Sequence, residues 1–250
     1  MSKKPLDFNY ISYKTGGNLR ENRVLAAYFP NTPIINWIIE KSKNGTGIYK
    51  FTNLDSKDND ENGDYRVAIL SGVHGNELPP QIATLHLINK LNFSNMNGTV
   101  YVIPFFSPNS TMRNSRYFDG LDLNRYCDIP GNIGYDLIAI LKDLKIDAVG
   151  DFHSTGPNAN PGYESVMSSN RPSKLSAEIG EYISKFVGSR WIQYEMAGQA
   201  FKGAIEDELN LNGIPTVTCE VLAYEKHITN IAWQQSLLQM KYFLRFFNII

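Results

Sequence analysis

The chain has 250 residues, of which 42% are hydrophobic and 12% aromatic, enough to fill the core of one α/β domain. Lysine and arginine number 24 against 25 aspartates and glutamates, which gives a net charge of −1. With no overall field to attract polyanions, the composition argues against nucleic acid or an anionic membrane as a partner.

The N-terminal segment and the cysteines indicate the compartment. Residues 1–7 lack the apolar stretch of a signal peptide, and no apolar run approaches the roughly 20 residues of a membrane span. Two cysteines, Cys127 and Cys219, are too few for a disulfide framework and suit a reducing environment. We therefore expect a soluble, cytoplasmic protein with free thiols, and we expect Cys219 to be buried.

Apolar, β-branched runs alternate with helical patterns along the chain. This alternation predicts an α/β fold with a mixed, mostly parallel central sheet flanked by helices on both faces. The predicted strands are 23–29, 47–51, 67–71, 99–106, 146–150 and 215–222. The predicted helices are 79–91, 133–144, 172–186, 205–211 and 225–247.

Three further segments have a structural interpretation. The acidic segment 53–64 predicts an exposed hairpin loop, because it lacks the spaced ligands and terminal glutamate of a calcium loop. His86 falls on the surface of the helix 79–91 by its spacing. The aromatic residues of the C-terminal helix predict a packing face, at Trp233, Tyr242, Phe243, Phe246 and Phe247.

The strongest chemical signal is His74-Gly75-Asn76-Glu77, which directly follows the apolar run Val67-Ala68-Ile69-Leu70. Imidazole nitrogen and carboxylate oxygen are both good Zn²⁺ ligands, so the segment offers two ligands at the end of a buried strand. Taken alone, the motif is weak, because a histidine at a strand end is more often a satisfied polar residue.

A catalytic zinc needs a third protein ligand and an open position for water. His153 is the best candidate, because it follows a second strand-like run, 146–150. Both histidines then lie at strand ends, where α/β sheets place their ligands. The sequence thus predicts one zinc ion per chain, held by His74, Glu77 and His153.

The segment between the two histidines is rich in arginine. Guanidinium groups are permanently charged, bind carboxylates through paired hydrogen bonds, and can hold the oxyanion of a tetrahedral intermediate. The candidates for these roles are Arg113, Arg116, Asn124 and Arg125. The alternative is surface ion pairs with nearby acids, at Asp119, Asp122 and Asp128. Asp122 could anchor the loop in this way.

A carboxylate on the strand 215–222 supplies the last component. Glu220 would be costly to bury without a role or a partner, and a hydrolase needs a base that takes a proton from water and returns it to the leaving amine. The structural alternative is a salt bridge to a neighbouring lysine or arginine. Glu225 is the rival base, although its place at the start of the predicted helix favours a capping role.

Four segments in order carry a family resemblance: Gly72 to Glu77, the Asn124-Arg125 pair, Asp151 to Ser154, and Glu220. Together they resemble the zinc carboxypeptidase superfamily, and more closely its deacylase branch, the succinylglutamate desuccinylase/aspartoacylase family. The resemblance covers residues 65–225 and implies a phosphorylase/hydrolase-like fold. It also implies zinc on the three residues above, Glu220 as general base and acid, Arg116 at the oxyanion, and Asn124 and Arg125 at the substrate carboxylate.

The sequence departs from the aspartoacylase pattern after Glu220. That group continues into a β-rich domain, whereas 221–250 looks helical here, as in the carboxypeptidases proper. We therefore expect residues 1–250 to form a single catalytic domain with a more open site and no separate C-terminal β domain. Arg113 could replace Arg116, and a substrate-contacting tyrosine stays open among Tyr163, Tyr194 and Tyr224.

The functional expectation is a zinc-dependent amide hydrolase that removes the acyl group from N-acyl amino acids and requires a free carboxylate on its substrate. The first alternative is a metallocarboxypeptidase that trims peptides, including cell-wall peptides. The second is a catalytically silent protein that binds a carboxylate ligand, which the presence of Glu220 argues against. The sequence does not indicate an oligomeric state.

Overall fold

A computed structural model describes residues 7–52, 65–92 and 95–250. The strands are β1 Asp7–Ser12, β2 Thr46–Thr52, β3 Arg66–Ser71, β4 Thr99–Ile103, β5 Ala148–Thr155, β6 Ser165–Arg171, β7 Arg190–Met196 and β8 Thr216–Leu222. The helices are α1 Arg23–Ala26, α2 Pro33–Ser42, α3 Leu78–Leu91, α4 Pro108–Met112, α5 Ile133–Asp143, α6 Lys174–Val187, α7 Ile205–Leu211 and α8 Asn230–Phe246. The predicted acidic loop 53–64 lies outside the described residues.

The strands form one sheet in the order β1-β2-β4-β3-β5-β8-β6-β7. The four central strands β4, β3, β5 and β8 run parallel to one another. β2 joins β4 antiparallel and β6 joins β8 antiparallel, so the strand direction reverses on each side of this central group. The predicted α/β class with a mixed central sheet is confirmed.

Hydrophobic cores lie on both faces of the sheet, because successive strand side chains point to opposite sides. In β3, Val67 and Ile69 face a core built with α2, α3, α6 and α8, while Ala68 and Leu70 face a second core built with α5 and α7. β5 is buried along its whole length. The helices therefore cover both faces of the sheet. A functional site can then form at the ends of the central strands, where polar side chains are not covered by the helices.

The predicted strand 23–29 is wrong, because Arg23–Ala26 is a short helix. The side chain of Asn22 caps it, with Oδ1 accepting a hydrogen bond from the amide of Leu25 at 3.1 Å. An N-cap asparagine followed by good helix formers overrides the apolar run that suggests a strand.

Several elements begin or end at residues other than those predicted, and some elements were not predicted at all. The C-terminal helix begins at Asn230 with Thr229 as its cap, so Glu225 lies outside it and the capping role expected for Glu225 is wrong. The strand expected at 99–106 stops at Ile103. β1, α2, β6 and β7 are not among the elements predicted from the sequence.

The C-terminal helix packs through its aromatic side chains, as predicted: Phe243 and Phe247 are buried, and Trp233, Tyr242 and Phe246 pack around them. His86 does not stand free on the surface of α3. Its ring stacks on Trp233 with centroids 4.4 Å apart, and burial lowers its pKa.

Both cysteines are free, as expected, and the predicted burial of Cys219 is confirmed; Cys127 is buried as well. Over the described ranges, no helix has the length and apolarity needed to cross a membrane.

Candidate metal centre

The ends of β3 and β5 bring the two predicted histidine segments together. The strands are parallel neighbours, with Leu70 opposite Asp151 and Ser71 opposite Phe152. The chain leaves β3 through the loop that carries His74 and Glu77, while His153 still lies on β5. Carboxyl ends of adjacent parallel strands meet at one edge of a sheet, which explains why residues so distant in sequence converge.

The His74 loop is held in place by close backbone contacts. A Cβ atom on Gly75 would collide with the backbone of Ser110 and Thr111, so only glycine allows this approach. The carbonyl of Asn76 accepts a hydrogen bond from the amide of Lys226 at 2.9 Å. These contacts fix the position of the loop before any ligand binds.

The three predicted ligands form a buried cluster. The two carboxylate oxygens of Glu77 lie between the rings, with Oε1 2.8 Å from Nδ1 of His74 and Oε2 2.9 Å from Nδ1 of His153. One donor atom from each residue lies within 4.8 Å of the other two. The structure thus brings together the ligand set that the sequence predicts.

The outer nitrogen of each histidine contacts a second carboxylate. Nε2 of His74 lies 2.9 Å from Oδ1 of Asp122, and Nε2 of His153 lies 2.9 Å from Oδ2 of Asp151. Such outer carboxylates fix the tautomer of a metal-binding histidine and leave the other nitrogen free for the ion. Two inward imidazole nitrogens and one carboxylate form a donor set that suits Zn²⁺, so the residues fit the predicted group.

The charges in the cluster are strongly coupled. Burial alone would raise the pKa of Glu77, but the two neighbouring histidines lower it well below the ordinary range. Burial would likewise lower the pKa of His153, but Asp151 and Glu77 raise it well above that of a free imidazole. The cluster therefore favours positive charge at its centre.

Replacing Asp151 or Asp122 by asparagine is expected to weaken metal affinity by roughly 10- to 100-fold, because the paired histidine loses its orienting carboxylate. Metal affinity can be measured by competition with a chromogenic chelator. Asp136→Asn, on an exposed position of α5, is the matched control and should bind metal like the parent protein. Equal affinities in all three variants would contradict the orienting role.

Glu220 faces the same cavity as the cluster. It pairs with His153 in the register between β8 and β5, so the two side chains share one face of the sheet. Its Oε2 is shielded from solvent and has no hydrogen-bond partner among the described residues, so the predicted alternative of a salt bridge is not found there. Burial raises the pKa of Glu220 well above its usual range, and the charge of Glu77 adds to this.

Arg116 lies at the cluster and Arg113 does not. The guanidinium of Arg116 contacts Asp122 through Nε and Nη2, each 3.0 Å from Oδ2, and its Nη1 lies 3.3 Å from Oε1 of Glu77. Arg113 is exposed at the end of α4 and is not part of the cavity lining within the described chain. Arg116, and not Arg113, is therefore the arginine that contacts the predicted ligand Glu77.

Asn124 and Arg125 both line the cavity but differ in their bonding. Oδ1 of Asn124 accepts a hydrogen bond from the amide of Ile205 at 2.8 Å, so this side chain holds the start of α7. Arg125 is exposed, lies over the ring of Phe201 at 5.6 Å, and forms no ion pair with any described residue. Arg125 is therefore available to an anionic ligand.

Sequence reasoning missed Asp151 and Glu206. Asp151 could have been found, because the spacing of two residues from His153 places both on one face of a strand. Glu206, in the first turn of α7, also lines the cavity, but nothing in its sequence context indicates this. The three tyrosines left open, Tyr163, Tyr194 and Tyr224, are absent from the described lining.

Glu206 makes the stability of the metal-free protein depend on pH. Burial, with the charges of Asp151 and Asp207, raises its pKa from 4.5 to about 8. The folded state then binds more protons than the unfolded chain between these values, so stability falls as pH rises through this window. Glu206→Gln should therefore be more stable than the parent by about 2 kcal/mol or more at pH 8.5, and by much less at pH 5.

Urea unfolding of the metal-free protein at both pH values measures this difference. A gain in stability for Glu206→Gln that is the same at pH 5 and pH 8.5 would show that the carboxyl does not titrate in this window.

The sheet with a His-Glu-His cluster at its strand ends is a zinc carboxypeptidase-like fold. The model of the family described as succinylglutamate desuccinylase/aspartoacylase catalytic domain matches residues 64–130. This match contains His74, Glu77 and the arginine segment, and it confirms the resemblance predicted from the motifs. His153 and Glu220 lie beyond the matched residues.

Solved structures show the same fold. The product-bound cell shape determinant protein Csd4 from Helicobacter pylori aligns with a TM-score of 0.65 and 17% identity over 81% of this chain and 55% of that one. The succinylglutamate desuccinylase/aspartoacylase from Rhodobacter sphaeroides gives 0.62 and 18%, over 84% and 62%. The metallo-carboxypeptidase from Burkholderia cenocepacia gives 0.59 and 13%, over 80% and 60%.

This chain therefore spans between 55% and 62% of the length of these three structures. At sequence identities of 13–18%, the similarity to these structures establishes the fold and not the activity. No curated protein matches the chain in sequence.

Proposed function

We propose that this protein is a zinc-dependent amide hydrolase acting on a substrate that carries a free carboxylate. The observation that supports this most is the position of Glu220, in register with His153 and facing the candidate ligands with an unpartnered buried oxygen. A carboxylate directly beside the candidate ligands can exchange protons with a water molecule and with a leaving nitrogen held there, which is the role that an amide hydrolase requires.

Different residues of the site have different roles in the proposed reaction. A bound zinc ion would polarise the amide carbonyl and lower the pKa of a water molecule toward about 7. Glu220 takes a proton from the attacking water and delivers it to the departing nitrogen, which avoids release of an unstable amide anion. The guanidinium of Arg116 donates hydrogen bonds to the oxygen on which negative charge develops.

Arg125 holds the carboxylate of the substrate. Among the described residues it is the cavity arginine that forms no ion pair, whereas Arg116 already contacts Asp122 and Glu77. A guanidinium can bind a carboxylate through two parallel hydrogen bonds, which fixes the distance from that carboxylate to the scissile amide. Asn124 orients the surrounding loop through its contact with α7.

Deacylation of N-acyl amino acids is the first candidate reaction. The matched family model is that of succinylglutamate desuccinylase/aspartoacylase catalytic domains, and the match covers the first metal-binding motif and the arginine segment. In such a substrate the free carboxylate and the scissile amide belong to the same amino acid.

A peptide substrate is the second candidate. Among the similar structures, Csd4 is described as a D,L-carboxypeptidase, and it was solved with a tripeptide and in an mDAP-bound form. Removal of a C-terminal amino acid from a peptide requires the same carboxylate contact and the same base, so this site is compatible with either reaction.

Amine release from a mixed panel separates the candidates. The panel contains N-acetyl, N-succinyl and N-formyl amino acids beside tripeptides of both stereochemistries, and zinc-loaded protein is compared with chelator-treated protein. We expect turnover that is lost on chelation and restored by zinc. Hydrolysis of acyl amino acids only supports a deacylase, and hydrolysis of peptides only supports a carboxypeptidase. No chelator-sensitive turnover on either set would contradict the proposal.

A further inference from the structure

A second carboxylate, which the proposed reaction does not use, lines the cavity at Glu206. It sits in the first turn of α7, the helix whose start is held by Asn124. Its neighbours on the helix are satisfied by the backbone: Asp207 accepts from the amide of Phe201 at 3.2 Å, and Glu208 accepts from the amide of Gly203 at 3.2 Å. Oε2 of Glu206 is shielded from solvent and has no partner among the described residues.

A second unpartnered acceptor lies in the same cavity. Thr218 stands two residues before Glu220 on β8, so both side chains project from the same face of the strand. Its Oγ1 is also buried without a hydrogen-bond partner in the described chain. Buried polar groups are nearly always paired, so these two oxygens, which are unpaired in addition to Oε2 of Glu220, indicate a missing donor.

The cavity offers no cation of its own to these oxygens. Of the described lining, the basic side chains beyond the metal cluster are Arg116 and Arg125. Arg116 is bound to Asp122 and Glu77, and Arg125 lies against Phe201. Burial and the charges of Asp151 and Asp207 raise the pKa of Glu206 to about 8, a cost that a bound cation would remove.

The wall beside these acceptors is apolar. Met167 on β6 lies opposite Thr218 in the antiparallel register and also lines the cavity. Its flexible side chain can pack along a chain of methylene groups. The cavity therefore combines a site for a carboxylate at Arg125, a site for an amide at the metal cluster, an apolar wall, and unpaired acceptors.

Resting on the proposed function, we propose that Glu206, with Thr218, binds the ammonium group of a basic side chain. The substrate class is then an amide of an amino acid whose side chain ends in an amine, such as lysine, ornithine or a diamino acid. Such an ammonium brings three donors, which match the carboxylate of Glu206 and the hydroxyl of Thr218. Its charge offsets the negative charge of Glu206, and its methylene groups contact Met167.

Matched substrates test the contribution of the ammonium group. Norleucine has the carbon skeleton of lysine without the ammonium, so Nα-acetyl-lysine and Nα-acetyl-norleucine, and tripeptides ending in either residue, form pairs that differ only in that group. The zinc-loaded parent protein should prefer lysine in kcat/KM by roughly tenfold or more. Glu206→Gln should reduce this ratio toward one by loss of lysine turnover, with norleucine turnover unchanged. Thr218→Val should reduce the ratio less.

Glu181→Gln, on an exposed position of α6, is the control and should keep the ratio of the parent. A parent protein that hydrolyses both members of a pair equally would overturn the ammonium site and leave the hydrolase proposal intact. Loss of both activities together in a folded Glu206→Gln protein would overturn it as well, because it would indicate a general role for Glu206.

If the parent hydrolyses no amide, the proposed function fails and binding decides the ammonium site by itself. Isothermal calorimetry with free lysine and free norleucine then measures the same charge preference. Tighter binding of lysine that disappears in Glu206→Gln would support the site. Equal affinity for the two amino acids would overturn it.

Discussion

Replacing Glu220 by glutamine is expected to reduce kcat by roughly 10³-fold or more while the protein keeps its metal. Glutamine has nearly the same shape but cannot accept a proton from water or return one to the leaving nitrogen. The side chain does not belong to the His74, Glu77 and His153 cluster, so its replacement leaves the ligand set complete. Steady-state turnover and metal content by mass spectrometry, measured on the same preparation, check both parts of this expectation.

Glu225 provides the matched comparison for this experiment. It lines the same cavity but is exposed on the turn before α8. Glu225→Gln should therefore retain most of the activity. If Glu225→Gln loses activity and Glu220→Gln does not, the roles of the two acids are reversed and Glu225 is the base.

Removal of one ligand is expected to abolish both metal binding and turnover. His153→Ala removes one of the three donors and leaves Asp151, which is fully buried, without its partner. Because that unpaired charge can also destabilise the fold, Glu77→Gln is the cleaner variant: it keeps the size of the side chain and removes the charge that lies between the two imidazoles.

His227→Ala is the control for the loss of a histidine, since His227 is exposed and its ring nitrogen Nδ1 lies 2.8 Å from the backbone carbonyl oxygen of Glu225. Stoichiometric metal that persists in Glu77→Gln after dialysis would show that the ion is held elsewhere. Thermal unfolding monitored by circular dichroism distinguishes loss of the ion from loss of the fold.

The sequence predicted the parts of the site that a strand end determines. His74 and His153 each follow a strongly apolar run, and parallel pairing of such strands brings their ends together whatever the intervening chain does. Glu220 was predicted because an acid on a buried strand is costly without a role, and the pairing of β8 with β5 places it beside His153. The roles assigned to Arg116, Asn124 and Arg125, the single-domain organisation and the cytoplasmic location stay predictions.

Features that depend on tertiary packing could not be predicted. The segment 23–29 has a strand-like apolar composition, but the cap at Asn22 decides in favour of a helix. β7 has no buried face, since every residue of this edge strand is at least partly exposed. Glu206 is one of three consecutive acids, and only the packing of α7 against the loop of Asn124 determines which of them enters the cavity.

The hydrogen bond from the amide of Ile205 to Oδ1 of Asn124 joins two segments that are far apart in the sequence, the arginine loop and the start of α7. One amide side chain fastens the arginine loop to the helix that bears Glu206, so a change at position 124 also displaces the acid. Energetic effects of substitutions at the two positions should then fail to add in a double-mutant cycle. Efforts to redirect this pocket toward other ligands would have to vary the two residues as a pair.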